Sequence, residues 1–225
     1  MSKLLLFAIF IGALFLMSFR QHQKKKKVIF FGDSITQIGA GPGGYIRLME
    51  GLAEQAGKGQ AFDLVGAGIS GNNVTDLYLR VEKDVLSQKP DIVVIFVGIN
   101  DIWHKRLNQS GVDFVKYTQF YQALIKRLQE AQIKVVMCTP TVIGERKDQS
   151  NDQDGELNNY SNWIRYHAKI NNIPCVDLRI DFLNYLLENN PQNAEKDILT
   201  NDRVHLNAKG NQLVAQRMWN VISVL

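Results

Sequence analysis

The sequence predicts an α/β fold: a three-layer α/β/α sandwich around a central, mostly parallel five-stranded sheet. Three observations carry the prediction. Short apolar runs alternate with amphipathic helical stretches from residue 28 to the end of the chain, the pattern of strands joined by helical crossovers. The run over residues 92–97, IVVIFV, is apolar throughout and mostly β-branched, as a strand covered on both faces must be. The turns after the first three apolar runs are rich in glycine, asparagine and serine, residues that bend a chain cheaply.

In chain order, residues 28–31 form the first strand, and Gly32 follows it. Residues 45–56 make a helix with Ile46, Met49, Leu52, Ala53 and Ala56 on one face and Gly57 as its stop. The second strand is 62–65. Helix 75–88 carries Leu77, Val81 and Val85 at fourfold spacing, and strand three is 92–97. The longest helix, 112–132, has the stripe Tyr117, Tyr121, Leu124, Ile125 and Leu128. Strand 135–138, helix 157–171, strand 175–177 and helices 182–189 and 208–221 complete the set. Right-handed crossovers gather the loops that follow each strand at one edge of the sheet.

With 225 residues, 45% of them hydrophobic and 21% charged, the chain builds one domain with a substantial core. The net charge of +4 is local: six of the 26 Lys and Arg residues precede Val28 and no acid does, leaving 20 against 22 and a net of −2 beyond it. A nucleic-acid partner is therefore not expected. Residues 4–19 are uncharged and apolar and follow Lys3, so residues 1–27 read as a signal peptide or an N-terminal membrane anchor with a basic flank, and 28–225 as the folded domain. Leu16 and Ser18 make a poor substitute for an Ala-x-Ala cleavage site. Lys24 to Lys27 would favour the cytoplasmic side in an uncleaved helix, and serve otherwise as a solvated spacer. The expectation is an exported protein, periplasmic or secreted, or one anchored through residues 4–19. Cys138 and Cys175 fall in strand-like runs and are expected as buried free thiols, with a disulfide open only if their strands are neighbours.

Four motifs carry chemistry: Gly32-Asp33-Ser34-Ile35, Gly68-Ile69-Ser70-Gly71-Asn72-Asn73, Gly98-Ile99-Asn100-Asp101 and Asp202-Arg203-Val204-His205. Ser34, on the turn after the first strand, is the candidate nucleophile. A serine hydroxyl needs a neighbouring base, and it can also cap a helix start. The motif lacks the glycine of a Gly-x-Ser-x-Gly elbow. His205 is the candidate base, with Asp202 three residues before it to orient the ring. His104, three residues beyond Gly98-Ile99-Asn100-Asp101, is its rival, whereas His22 and His167 read as structural or solvent-facing. Asp33 and Asp101 are expected to bond nearby backbone, Asn72 and Asn73 to line the site, and Trp103 to wall a pocket or sit in the core. Gly39 to Gly44 reads as a flexible loop beside the site. The sequence carries no metal-ligand cluster and no Walker-type phosphate loop, so no cofactor and no metal are expected.

The four motifs, in this order, resemble those of the SGNH (GDSL-type) hydrolase family, over roughly residues 28–217. The resemblance implies a flavodoxin-like fold and an esterase or acylhydrolase activity. It also assigns the oxyanion donors: the backbone N–H groups of Ser34 and Gly71 and the side-chain amide of Asn100. Arg203 departs from the family pattern, where glycine is frequent. The implied reaction is hydrolysis of a carboxylic ester through an acyl-enzyme. The polar stretch 144–155, if it rims the site, suits a short acyl group, such as acetyl, on a polar alcohol such as a carbohydrate. A lysophospholipase-like enzyme at a membrane surface, an acyltransferase and a non-catalytic binding protein are the alternatives.

Overall fold

A computed structural model of the chain describes residues 24–225. The segment 4–19, with the export or anchoring expected of it, lies outside the described residues. Among those that are described, no helix is long and apolar enough to cross a membrane.

Five strands, β1 (Lys26–Gly32), β2 (Phe62–Gly68), β3 (Ile92–Phe96), β4 (Lys134–Cys138) and β5 (Cys175–Val176), form one sheet in the order β2-β1-β3-β4-β5, every neighbouring pair parallel. All five residues of central β3 are buried, which is why its sequence shows no alternation of polar and apolar positions. β2, at the edge, alternates Phe62 and Leu64 inward with Asp63 outward. β1 begins within the lysine run, with Lys26 exposed.

Eight α-helices are described: α1 (Ser34–Gly39), α2 (Tyr45–Gln55), α3 (Val74–Asp84), α4 (Ile99–Leu107), α5 (Phe114–Glu130), α6 (Asp154–Ile170), α7 (Leu178–Asn189) and α8 (Ala208–Ile222). The turn from β1 to β2 runs to one side of the sheet's centre and that from β2 to β3 back to the other, so the crossovers cover opposite faces. α2 packs with α8, and α3 with α5. The helix expected over 75–88 ends at Asp84. Val85 leaves helical geometry at φ −127°, and Leu86–Gln88 continue as a 3-10 turn.

Two helices go beyond the sequence expectation. α1 occupies the turn after β1, where Ser34 read as a nucleophile or as a helix cap, and α4 the turn after β3, where a loop was expected. Both are short, and their polar residues match turn chemistry as well as helix starts, so periodicity does not separate the two. Gly39 to Gly44 is not a loose loop. Gly44 N–H donates to the Gly41 carbonyl, and a Cβ on Gly39 would strike the Tyr45 ring. Cys138 and Cys175 lie on neighbouring strands as free thiols, the first buried and the second half-buried. Burial raises both thiols, Cys175 to about 12, so neither is a ready nucleophile.

Candidate active site

The sheet register brings the first three motifs to one level. Gly32 pairs with Gly68 on one side and with Phe96 on the other. Ser34, Gly71 and Asn100 therefore leave the carboxyl edge within a few residues of the same line, where ligands of open α/β sheets bind.

Ser34 is the first residue of α1. Asp33 caps that helix, its carboxylate accepting from Ile35 N at 2.9 Å. The cap orients the turn so that Ser34 Oγ lies 2.9 Å from His205 Nε2. His205 Nδ1 lies 2.7 Å from Asp202 Oδ2, while Asp202 Oδ1 accepts from the backbone N–H of His205 at 2.7 Å and of Val204 at 3.2 Å. Burial by itself would raise the Asp202 carboxyl. The hydrogen bonds from the His205 ring and the two amides outweigh it, and the group sits below its ordinary range. Asp202 is thus held as a carboxylate against the ring nitrogen that faces away from Ser34.

The loop bearing this pair is a closed hairpin. Thr200 and Leu206 form an antiparallel bridge, Asn201 N donates to the His205 carbonyl, and Asn207 N donates to the Leu199 carbonyl. Asn207 then caps α8 by accepting from Gly210 N at 3.0 Å. Arg203 sits in this hairpin with φ +82°, left-handed backbone that glycine adopts without strain. That accounts for the glycine frequent at this place in the family pattern. The stretch 144–155 contributes from the other side. Glu145, fully buried, accepts from Ile198 N and Leu199 N at 2.8 and 2.7 Å. Asn151, Gln153 and Asp154 are buried as well, whereas Asp148, Gln149, Ser150, Asp152 and Gly155 are exposed. The stretch is therefore part packed support and part solvated surface, with Glu145 bracing the histidine loop.

Gly71 lies at φ +80° with open space where a Cβ would stand. It is glycine for its backbone angle, not for crowding. Asn100, buried in the first turn of α4, donates one amide hydrogen to the Asn72 carbonyl at 2.9 Å. This bond orients the amide and leaves its second hydrogen for a ligand. Asp101 does not fasten its own loop: its Oδ1 accepts from Val74 N at 3.1 Å, tying the start of α3 to α4. Burial pushes the Asp101 carboxyl up to about 8 and the Asp33 carboxyl up to about 7.

His205 and Asp202 stand in line with Ser34, and Asn100 bonds the carbonyl next to Gly71; His104 does not join them at Ser34. Its ring stands near Trp103 instead, and burial lowers its basicity. His167 stacks on Trp163 at 4.9 Å. Trp103, half-buried, meets the His205 ring edge-to-face at 6.2 Å. Arg80 was missed by sequence reading. It stands one residue before Val81 of the apolar stripe of α3, where a charged residue reads as ordinary helix surface, yet its side chain is 13% exposed and bonds to groups on all sides of the turn. Among the described residues no cluster of side chains is arranged to hold a metal ion.

A parallel α/β/α sandwich that aligns serine, histidine and aspartate at its carboxyl edge has the architecture of a serine-dependent ester hydrolase. The chain belongs to the GDSL-like Lipase/Acylhydrolase family, whose model matches residues 30–213, and it is a carboxylic ester hydrolase. It is 32% identical over 213 residues to an acetylxylan esterase of Geobacillus stearothermophilus, covering 85% of this chain and 91% of the relative. It is 26% identical over 208 residues to the human isoamyl acetate-hydrolyzing esterase 1 homolog, covering 87% and 81%. Among solved structures, the acetyl xylan esterase AlAXEase superposes with a TM-score of 0.85 at 56% identity, covering 87% of this chain and 99% of that one. A catalytic mutant of the Geobacillus stearothermophilus acetylxylan esterase, with an aspartate changed to alanine, gives a TM-score of 0.77 at 27% identity, covering 88% and 94%.

Proposed function

We propose that this esterase removes acetyl groups from acetylated carbohydrate, xylan-type oligosaccharides being the substrate class, through a covalent acetyl-serine. The observation that carries the mechanism is the continuous line Ser34 Oγ, His205 Nε2, His205 Nδ1, Asp202 Oδ2, with separations of 2.9 and 2.7 Å. Ser34 Oγ attacks the acetyl carbonyl as His205 Nε2 takes its proton. The negative charge that develops on the carbonyl oxygen is met by the N–H groups of Ser34 and Gly71 and by the free amide hydrogen of Asn100. His205 returns the proton to the sugar oxygen, which leaves as the free hydroxyl. A water then gives its proton to His205 and attacks the acetyl-serine, releasing acetate and Ser34. Asp202 holds the ring with its proton on Nδ1 and stabilises the imidazolium in both halves. The acetylxylan esterases at 32% and 56% identity support the choice of substrate. The apolar segment 4–19 supports export, or anchoring, toward a polymer outside the cell.

The test compares the full-length chain with its Ser34→Ala variant on p-nitrophenyl acetate, p-nitrophenyl octanoate and acetylated xylo-oligosaccharides. Acetate release that depends on Ser34 and far exceeds octanoate hydrolysis is the expected result. A preference for the longer chain would replace the carbohydrate reading with a lipid one. Acetylated acceptor sugars appearing in place of free acetate would make the enzyme a transferase.

A further inference from the structure

The carboxyl edge of the sheet is fastened by one side chain that takes no part in the chemistry above. The Arg80 guanidinium, reaching up from α3, donates from Nε to Asn72 Oδ1 at 2.6 Å, and from one terminal nitrogen to the carbonyls of Gly32 at 2.7 Å and Ala67 at 2.9 Å. Its other terminal nitrogen donates to Asp84 at 2.8 Å, and its central carbon lies 4.4 Å over the Phe31 ring. Gly32 is two residues before Ser34. Asn72 follows Gly71, and its own carbonyl accepts the Asn100 amide at 2.9 Å. A single planar cation therefore touches the supports of all three oxyanion donors.

We propose that Arg80 is a positioning residue for the oxyanion site, setting the relative placement of the Ser34, Gly71 and Asn100 donors; the proposal rests on the assignment of those donors made above. The guanidinium suits this task because its fork of donors is rigid and cannot be neutralised. A lysine at the same place keeps the charge and offers a point donor that cannot span Gly32, Ala67 and Asn72 together. Asp84 offsets most of the charge, so the effect is one of geometry more than of field. Oxyanion donors act only when they are aimed at where the charge develops, and they contribute little to ground-state binding. Misplacing them should lower kcat and leave KM nearly unchanged.

The experiment measures kcat and KM of the full-length chain on p-nitrophenyl acetate for Arg80→Lys, Asn72→Ala, Asn100→Ala and the double variant Arg80→Lys/Asn100→Ala, with melting temperatures alongside. Arg80→Lys is expected to lower kcat by about 10–100-fold, as a misplacement of catalytic groups does, with KM within about threefold. Asn72→Ala, which removes only the Nε acceptor, should show a smaller loss of the same kind. In the double variant the Arg80→Lys loss should be smaller than in the parent, because one of the three donors it aims is gone. A merely structural role predicts losses that multiply and that follow the melting temperature. Arg80→Lys with wild-type kcat, or with a loss that multiplies fully with that of Asn100→Ala, overturns the proposal. If Asn100→Ala itself keeps wild-type kcat, the donor assignment is at fault, and the proposal for Arg80 falls with it.

Discussion

Each residue of the candidate site is held by a bond that its chemistry requires. Asp202 gives one oxygen to the His205 ring and the other to two backbone amides, so the loop's own amides fix the carboxylate that orients the ring. This separates the two histidines that sequence alone left in competition. His205→Ala should lower kcat on p-nitrophenyl acetate by about 10³-fold or more, as loss of a triad base does, while His104→Ala should change it by less than about threefold, as expected of a residue outside the reacting constellation. Equal losses in the two variants would sink the assignment. Identity of the base was half legible in the sequence, since Asp202 precedes His205 at a suitable spacing. What spacing could not supply is distance to Ser34, because 171 residues separate the two groups.

At the scale of elements, the stretch after β4 departs furthest from its composition. Read as a chain, 144–155 is charged and polar enough for a solvated loop. In the fold two of its four acids face inward to partners that lie far away in sequence, Glu145 to the amides of residues 198 and 199 and Asp154 to Arg179, while Asp148 and Asp152 stay exposed. Arg179 is fully buried at the start of α7 and donates to Asp154 Oδ1 at 2.7 Å, Asn158 Oδ1 at 2.9 Å and the Thr141 carbonyl at 3.2 Å. Arg179→Ala leaves a buried carboxylate with its cation gone and should cost roughly 3–5 kcal/mol, measured as a shift in the urea midpoint at constant slope. A loss under about 1 kcal/mol, the range of an exposed pair, would mean that water reaches Asp154. The helices with long apolar stripes, α2, α5 and α8, were legible because burial on one face imposes a period. α1 and α4 were not, being short and capped with turn residues.

Across the whole molecule, two buried carboxyls beneath the site couple stability to pH. Asp101 is raised from 3.8 to about 8 and Asp33 from 3.8 to about 7, in both cases chiefly by burial. The folded chain therefore keeps protons that the unfolded chain releases above about pH 4. Stability carried by these groups is fully present below that pH and is lost as pH rises toward 7 and 8. Asp101→Asn keeps an acceptor for Val74 N and removes the titration. Its melting temperature should exceed that of the parent by a margin that widens from pH 5 to pH 9, each kcal/mol gained appearing as about 2–4 °C. A margin that is constant or narrows with pH would contradict the burial argument. The fold class, the order of strands and helices, and the four motifs were determined by the sequence, because period, turn chemistry and residue type are local properties. Tertiary structure alone decided which histidine meets Ser34, that Asn100 is aimed by the Asn72 carbonyl, that Arg80 and Glu145 brace the site, and that Glu145 and Asp154 of the polar stretch turn inward. Those outcomes depend on distances between residues far apart in the chain, which only the closed sheet and its crossovers define.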